Sequence, residues 1–224
     1  MAQDVTWAKQ IKVVSFDLDG TLVEEAFDNA IWFEEIPQRY AAKYALPLPQ
    51  ATERVLAEYR ALRGHPRWTD MAFWFERFAL GDWRDAVAAR QHLIHLYPEV
   101  AEVLEALLPR YRLVIITQAE HKFHELKLRT LRLGEQPLRA AFSAVFATPD
   151  HFGKLAKDEE VYREVLRRLG IAPHEMLHVG DHSEYDVAMP RALGIHALHL
   201  DRRGLQQGPD VVHDLRELLP LLLP

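Results

Sequence analysis

Five short apolar runs, spaced by helical patterns, constrain this chain more than any other feature. Residues 11–16, 112–117, 144–147, 176–180 and 195–200 each read as a buried strand. Between them, residues 100–109, 121–133, 159–169 and 185–193 carry helical spacing. Such alternation predicts an α/β, Rossmann-like core, a parallel sheet with helices on both faces. Right-handed crossovers bring the carboxyl end of every strand to one edge, where open α/β sheets bind their ligands.

One stretch breaks the alternation. From Glu24 to about Tyr97 there is no strand pattern, and helical patterns lie near 26–45, 51–63, 71–80 and 83–96. Pro47, Pro49, Gly64-His65-Pro66 and Gly81 punctuate them. The expected organisation is therefore a core domain of residues 1–23 and 97–224. A helical cap, residues 24–96, is inserted after the first strand.

The residues at the strand ends carry chemistry. Asp17-Leu18-Asp19-Gly20-Thr21 follows the first run, so two carboxylates sit where the chain enters a glycine turn. One can attack a phosphorus atom and the other can move a proton. Thr117 ends the second run, Lys157 begins a helix, and Asp181 and Asp186 follow the fourth run. Asp-x-Asp-Gly alone is also common in surface turns; here it stands with three further signals in order.

Composition narrows the classes. The formal net charge is −6, which argues against general nucleic-acid binding but leaves room for a small anion held through a metal ion. No cysteine is present, so disulfides, thiolate catalysis and Cys-ligated zinc are excluded. Residues 1–12 are polar and mixed, without a signal-peptide core. No apolar run approaches a membrane span, and the apolar tail 218–224 is short and interrupted by Pro220. A cytoplasmic location is the expectation. No Walker loop or dinucleotide fingerprint occurs.

These motifs make the chain resemble the haloacid dehalogenase superfamily, over most of its length. Asp17 to Thr21 matches the first family motif, Thr117 the second, Lys157 the third, and Gly180-Asp181 through Asp186 the fourth. A helical insert between the first two motifs is similar to the family's first cap class. The resemblance implies a Mg²⁺-dependent phosphatase of a small phosphorylated metabolite, working through an aspartyl-phosphate on Asp17. Asp19 would be the acid and base. Thr117 would bind the phosphoryl oxygens, with Gly20 and Gln118 beside it. Lys157 would pair with nucleophile and phosphate. Asp17 and Asp181, the Asp19 carbonyl and Asp186 would form the metal shell. Lys157 stands 24 residues before Asp181, the family spacing, and is preferred over Lys154.

The match has departures. Gln118 stands where Asn is common, Asp158 where Pro is common, and Tyr185 where Asn is common. Pro190 follows Ala188-Met189, where it is tolerated if it falls in a helix's first turn. Asp19 separates the chain from dehalogenases, which lack it because halide needs no proton. The only cap lysine is Lys43, read as surface charge, so a phosphonatase is disfavoured. A sugar phosphomutase would keep both aspartates, and a non-catalytic binding module on this fold is the non-enzyme alternative. Nucleotidase is one possible subtype, and oligomeric state is left open.

The expected cap is rich in aromatics: Phe27, Trp32, Phe33, Trp68, Phe73, Trp74, Phe75, Phe78 and Trp83. Most are read as the core of a small bundle, and a few as surfaces for a base or an apolar leaving group. Arg60, Arg63, His65 and Arg67 mark a basic turn, solvated or facing an anion; Glu24 and Glu25 open the linker. His92 with His95, and His121 with His124, have i,i+3 spacing, yet neither pair has an evident acidic third ligand in a zinc-protease arrangement. His182 borders the motif-four aspartate.

Overall fold

The computed structural model describes residues 6–223; Met1–Val5 and Pro224, the outer parts of the polar N-terminus and apolar tail, lie outside the described residues. The strands in chain order are β1 (Val13–Phe16), β2 (Arg112–Thr117), β3 (Arg132–Leu133), β4 (Gln136–Pro137), β5 (Ala144–Ala147), β6 (Met176–Gly180), β7 (His196–Leu200) and β8 (Val211–Val212). Six form one sheet in the order β5-β2-β1-β6-β7-β8, every pair parallel. The pair β3–β4 is a separate antiparallel ribbon. The chain steps outward from β1 through β2 to β5, then returns to β6 and steps the other way. Right-handed crossovers in opposite directions place helices on opposite faces. The switch point lies between β1 and β6, which is where this kind of sheet opens a crevice.

Burial explains the strand sequences. β1 and β6 are buried at every residue, and β2 at all but Arg112. Strands covered on both sides read as continuous apolar runs rather than alternating ones. The helix Glu159–Leu169 covers one face with Val161, Tyr162, Val165, Leu166 and Leu169, packed with Val13, Val114, Ile116 and Met176. Its first turn is capped by Asp158, whose carboxylate accepts the Val161 N–H at 3.0 Å. An aspartate cap thus starts the helix at the position where the resemblance implied a proline.

Two predicted helices end differently. The stretch 121–133 is helical only over His121–Thr130, then turns into the β3–β4 ribbon. The stretch 185–193 is a wide π-type turn, Ser183–Ala188, followed by the short helix Met189–Ala192 with Pro190 in its first turn. Proline has no N–H and collides with the carbonyl four residues back, so the preceding backbone widens. The same pairing recurs where π-type Ala30–Glu35 precedes Pro37.

The chain divides into two compact units, Met1–Val23 with Leu96–Pro224, and Glu24–His95. The second unit is helical: Ala26–Asn29, Ala30–Glu35, Ile36–Tyr44, Leu48–Ala61, Met71–Arg77 and Trp83–Arg90. Asp70 and Asp82 cap two of these helices. Its buried residues include Phe27, Ile31, Ile36, Val55, Trp74, Phe75 and Phe78. Trp32, Phe73 and Trp83 are half-buried, while Phe33 and Trp68 are exposed. Trp74 is the unit's centrepiece: fully buried, 4.7 Å edge-on from Tyr59, with its indole N–H donated to the Trp68 carbonyl at 2.9 Å.

Trp74→Ala removes that ring and leaves a cavity. Urea unfolding should show a loss of about 3–5 kcal/mol, the usual result of truncating a buried aromatic.

Candidate active site

The ladder of the sheet extends one step past β1. The Asp17 N–H bonds the Val179 carbonyl at 2.9 Å, so the backbone of Asp17 is held by β6. Its side chain meets Lys157, whose Nζ donates to Asp17 Oδ1 at 2.6 Å and lies 2.5 Å from Asp186 Oδ1. All three groups are buried. Asp17, Asp181 and Asp186 each bring a carboxylate oxygen within 4.8 Å of the others. Lys154, three residues before Lys157, points elsewhere: it pairs with Asp158 at 2.7 Å and with Glu160.

Two glycines make the crowding possible. A Cβ on Gly20 would lie 2.6 Å from Asp181 Oδ2, and one on Gly180 would lie 2.3 Å from Asp186 Cγ. Gly20 also has φ +78, in the left-handed region. Side chains have been kept out of the space that the carboxylates occupy.

A family profile described as haloacid dehalogenase-like hydrolase matches residues 11–194. The chain belongs to this family. It is 24% identical to the GMP/IMP nucleotidase of Escherichia coli over 178 residues, covering 80% of this chain and 77% of that one. It is 27% identical to the phosphoglycolate phosphatase of Pseudomonas putida over 222 residues, covering 93% and 79%. Among solved structures, a HAD phosphatase from Thermococcus onnurineus superposes with TM-score 0.79 at 27% identity, covering 95% and 98%. A 2-haloacid dehalogenase from Pseudomonas syringae superposes at 0.66 with 24% identity, covering 95% and 98%, and shares the fold. The protein is thus an enzyme of the HAD hydrolases, with phosphatase and nucleotidase relatives.

In this HAD hydrolase the charges are unequally satisfied. Burial pushes the Asp17 carboxyl up, Lys157 pulls it back, and Asp186 and Asp181 push it up again; the result is well above the ordinary carboxylate range. Burial also works to raise Asp186, but Lys157 and His178 outweigh it and hold that carboxyl well below its usual range. Asp186 accepts from three donors: Lys157, His178 Nε2 at 3.0 Å, and the His182 N–H at 3.0 Å. Burial opposes the charge on Lys157, yet Asp17 and Asp186 keep its pKa above the normal lysine value. Negative charge at Asp17 is therefore only partly offset by the protein. An all-oxygen set with surplus negative charge suits a hard divalent cation such as Mg²⁺.

Thr117, at the end of β2, is buried, and its Oγ1 accepts the Ala119 N–H at 3.1 Å, closing the loop after the strand. Gln118, expected beside the phosphate, has one of its amide N–H groups engaged within the protein. That nitrogen donates to the Leu155 carbonyl at 2.6 Å, tying the Thr117 loop to the segment before Lys157. The second N–H and the amide oxygen are not used by this bond. His182 accepts the N–H groups of Glu184 and Tyr185 and stacks on the Tyr185 ring, so it shapes the turn that carries Asp186.

Two residues at the site escaped sequence reading. Lys127, on the helix after Thr117, is fully buried, and its Nζ donates to Asp19 Oδ1 at 2.6 Å. His178, inside β6, is fully buried under Asp186. Burial lowers the His178 pKa, with Asp186 opposing, so the ring is neutral at neutral pH. An ionised Asp186 demands the proton on Nε2, which leaves Nδ1 to accept from the Ser15 hydroxyl at 2.7 Å. A polar chain thus runs from Ser15 through His178, Asp186 and Lys157 to Asp17.

In the helical unit, Arg60, Arg63, His65 and Arg67 are exposed. The His65 Nδ1 accepts the Arg67 N–H, and Lys43 donates to the Ala79 carbonyl. Glu24 is half-buried and Glu25 exposed.

The raised pKa of Asp17 sets a sign. The unfolded chain loses this proton in the ordinary carboxylate range, whereas the folded metal-free protein keeps it longer. Stability therefore falls as pH rises through the raised value, by about 1.4 kcal/mol per unit of difference between the two states. Urea unfolding in chelator at a series of pH values should show this decline, and Asp17→Asn should flatten it. The contribution of Asp186, whose pKa is depressed, persists through neutral pH and is lost only in strong acid.

Proposed function

We propose that the chain is a Mg²⁺-dependent phosphomonoesterase of a small phosphorylated metabolite, with Asp17 as the nucleophile. The observation that carries this reading is the juxtaposition of Asp17, paired to a buried Lys157, with Asp19 two residues on, paired to a buried Lys127. In this reading one carboxylate attacks and the other transfers the proton, and each is paired with its own lysine.

An oxygen of Asp17 attacks phosphorus, and the bond to the ester oxygen breaks. Asp19 gives a proton to the departing alkoxide. Water then attacks the aspartyl-phosphate, Asp19 takes its proton, and inorganic phosphate leaves with Asp17 restored. Lys157 offsets the repulsion between Asp17 and the phosphate dianion, and Thr117 lends a hydroxyl to the phosphoryl oxygens. Lys127 occupies one oxygen of Asp19, which leaves the other for the leaving group. A divalent cation held by Asp17 and Asp181, with Asp186 beside them and the Asp19 carbonyl, would neutralise charge on the phosphoryl group when bound.

The printed activities of the relatives guide the substrate panel: nucleoside monophosphates such as GMP and IMP, and phosphoglycolate. Intact nucleophile, acid and lysine, together with membership of a hydrolase family, favour turnover over a binding module. The work is expected in the cytoplasm, without nucleic acid or membrane as partner. No helix among the described residues is long and apolar enough to cross a membrane.

Phosphate release from an aryl phosphate and from this panel should need Mg²⁺ and stop in chelator. Asp17→Asn should reduce it to background. Asp19→Asn should slow it by about 10²–10⁴, the usual share of general acid–base catalysis. Full activity in Asp17→Asn would refute the nucleophile, and a phosphorylated sugar isomer without free phosphate would point to a mutase.

A further inference from the structure

Outside the carboxylate site, one cluster among the described residues brings metal-ligating side chains together from separate elements. His121 and His124 lie on the first turn of the helix His121–Thr130, and Asp150 lies on the helix Thr148–Phe152 after β5. One ligand atom from each falls within 4.8 Å of the others. The acidic third ligand missing near the His121/His124 pair in sequence is thus supplied by a residue 26 positions beyond His124.

We infer that His121, His124 and Asp150 form a second cation site, selective for a borderline divalent ion such as Zn²⁺ rather than Mg²⁺. Two imidazole nitrogens and one carboxylate oxygen are a Zn²⁺ donor set, whereas Mg²⁺ prefers oxygen throughout. The His124 Nε2 and Asp150 Oδ2 are 3.2 Å apart. Two ligands at about 2.0–2.1 Å from a tetrahedral ion stand roughly 3.3 Å from each other, so this pair already has ligand spacing.

A second observation concerns His124 itself. The residue is 2% exposed and its Nδ1 has no hydrogen-bond partner among the described residues. Nδ1 is the nitrogen not facing Asp150, so the assignment stands on the Nε2–Asp150 spacing and the convergence of the three ligand atoms. His121 is exposed and lies edge-on to His124 with ring centroids 5.3 Å apart, close enough to complete the set by a side-chain rotation. The nearby Lys122 ammonium is engaged by Glu120 at 3.1 Å. Three protein ligands leave the fourth tetrahedral position to water.

The site would clamp the helix that carries Lys127 to the short helix that precedes Lys157. Its occupation is therefore expected to raise thermal stability, whatever reaction the carboxylate site performs.

The test uses the whole chain in excess Mg²⁺, which fills the oxygen-ligated site, with Co²⁺ as a visible probe and Zn²⁺ as competitor. Tetrahedral Co²⁺ with nitrogen ligands absorbs strongly, and octahedral oxygen-ligated Co²⁺ weakly. One equivalent of Co²⁺ should give the strong bands, and Zn²⁺ should remove them and raise the melting temperature. His121→Ala and Asp150→Asn sit at exposed positions and keep the buried His124. Each should weaken Zn²⁺ binding by more than about tenfold, the lower end of losing even an outer-shell partner. Absence of the bands in the wild-type chain, or bands that survive either substitution unchanged, would overturn the assignment. Because the readout is metal binding and not turnover, failure here leaves the phosphatase reading untouched.

Discussion

The buried ammonium of Lys157 is the interaction on which the functional edge depends. It lies between Asp17 and Asp186, 2.6 Å from one and 2.5 Å from the other. Burying three charged groups is unfavourable unless each is paired and hydrogen-bonded. Asp186 meets that condition through Lys157, His178 and the His182 N–H, and its carboxyl is correspondingly acidic. Asp17 does not meet it: burial and two neighbouring carboxylates outweigh the single lysine. The protein thus completes the shell of Asp186 and leaves Asp17 short of positive charge. A cation and a phosphate ester arriving together fit that imbalance, and the destabilised Asp17 is the kind of local sacrifice that functional sites make.

Topology explains why these groups can meet. β1 and β6 are neighbours across the switch point, so the residues just past their carboxyl ends face one crevice. Thr117 arrives from β2 on the other side of β1. Lys157 comes from the connection between β5 and β6 and Lys127 from the helix between β2 and the ribbon. Glycine at positions 20 and 180 keeps the crevice open where any Cβ would strike a carboxylate.

The legible part of this arrangement was the part adjacent to apolar runs. β2, β5 and β6 have the predicted bounds, and Asp17, Thr117 and Asp181 could be placed because each stands at the end of such a run or immediately after it. Lys157 was chosen over Lys154 by spacing, and the geometry puts only Lys157 at Asp17. What escaped notice lacks a local signature. β8 and the ribbon strands are two residues long, too short for any periodicity. Lys127 sits among polar residues on a helix with every appearance of a solvated lysine, and its partner is 108 positions away. His178 lies inside an apolar strand, where only the fold shows that Asp186 stands above it. Gln118 stands next to Thr117, and only the fold shows that its long amide also reaches the Leu155 carbonyl.

The shared fold cannot by itself distinguish the chemistry, since a dehalogenase and a phosphatase both superpose on this chain over 95% of its length. What distinguishes them is the proton. A departing halide is stable as an anion, whereas an alkoxide leaving phosphorus needs a proton in the transition state. In the proposed reaction Asp19 would supply it, and its carboxyl would have to be held at the edge of the sheet. A fully buried lysine 2.6 Å from its Oδ1 does that holding. Burying a lysine for no purpose other than solubility is physically implausible, because long charged side chains are almost never fully buried unless paired. The Lys127–Asp19 pair therefore fixes where the Asp19 carboxyl stands, by a contact that the motif around Asp19 does not announce.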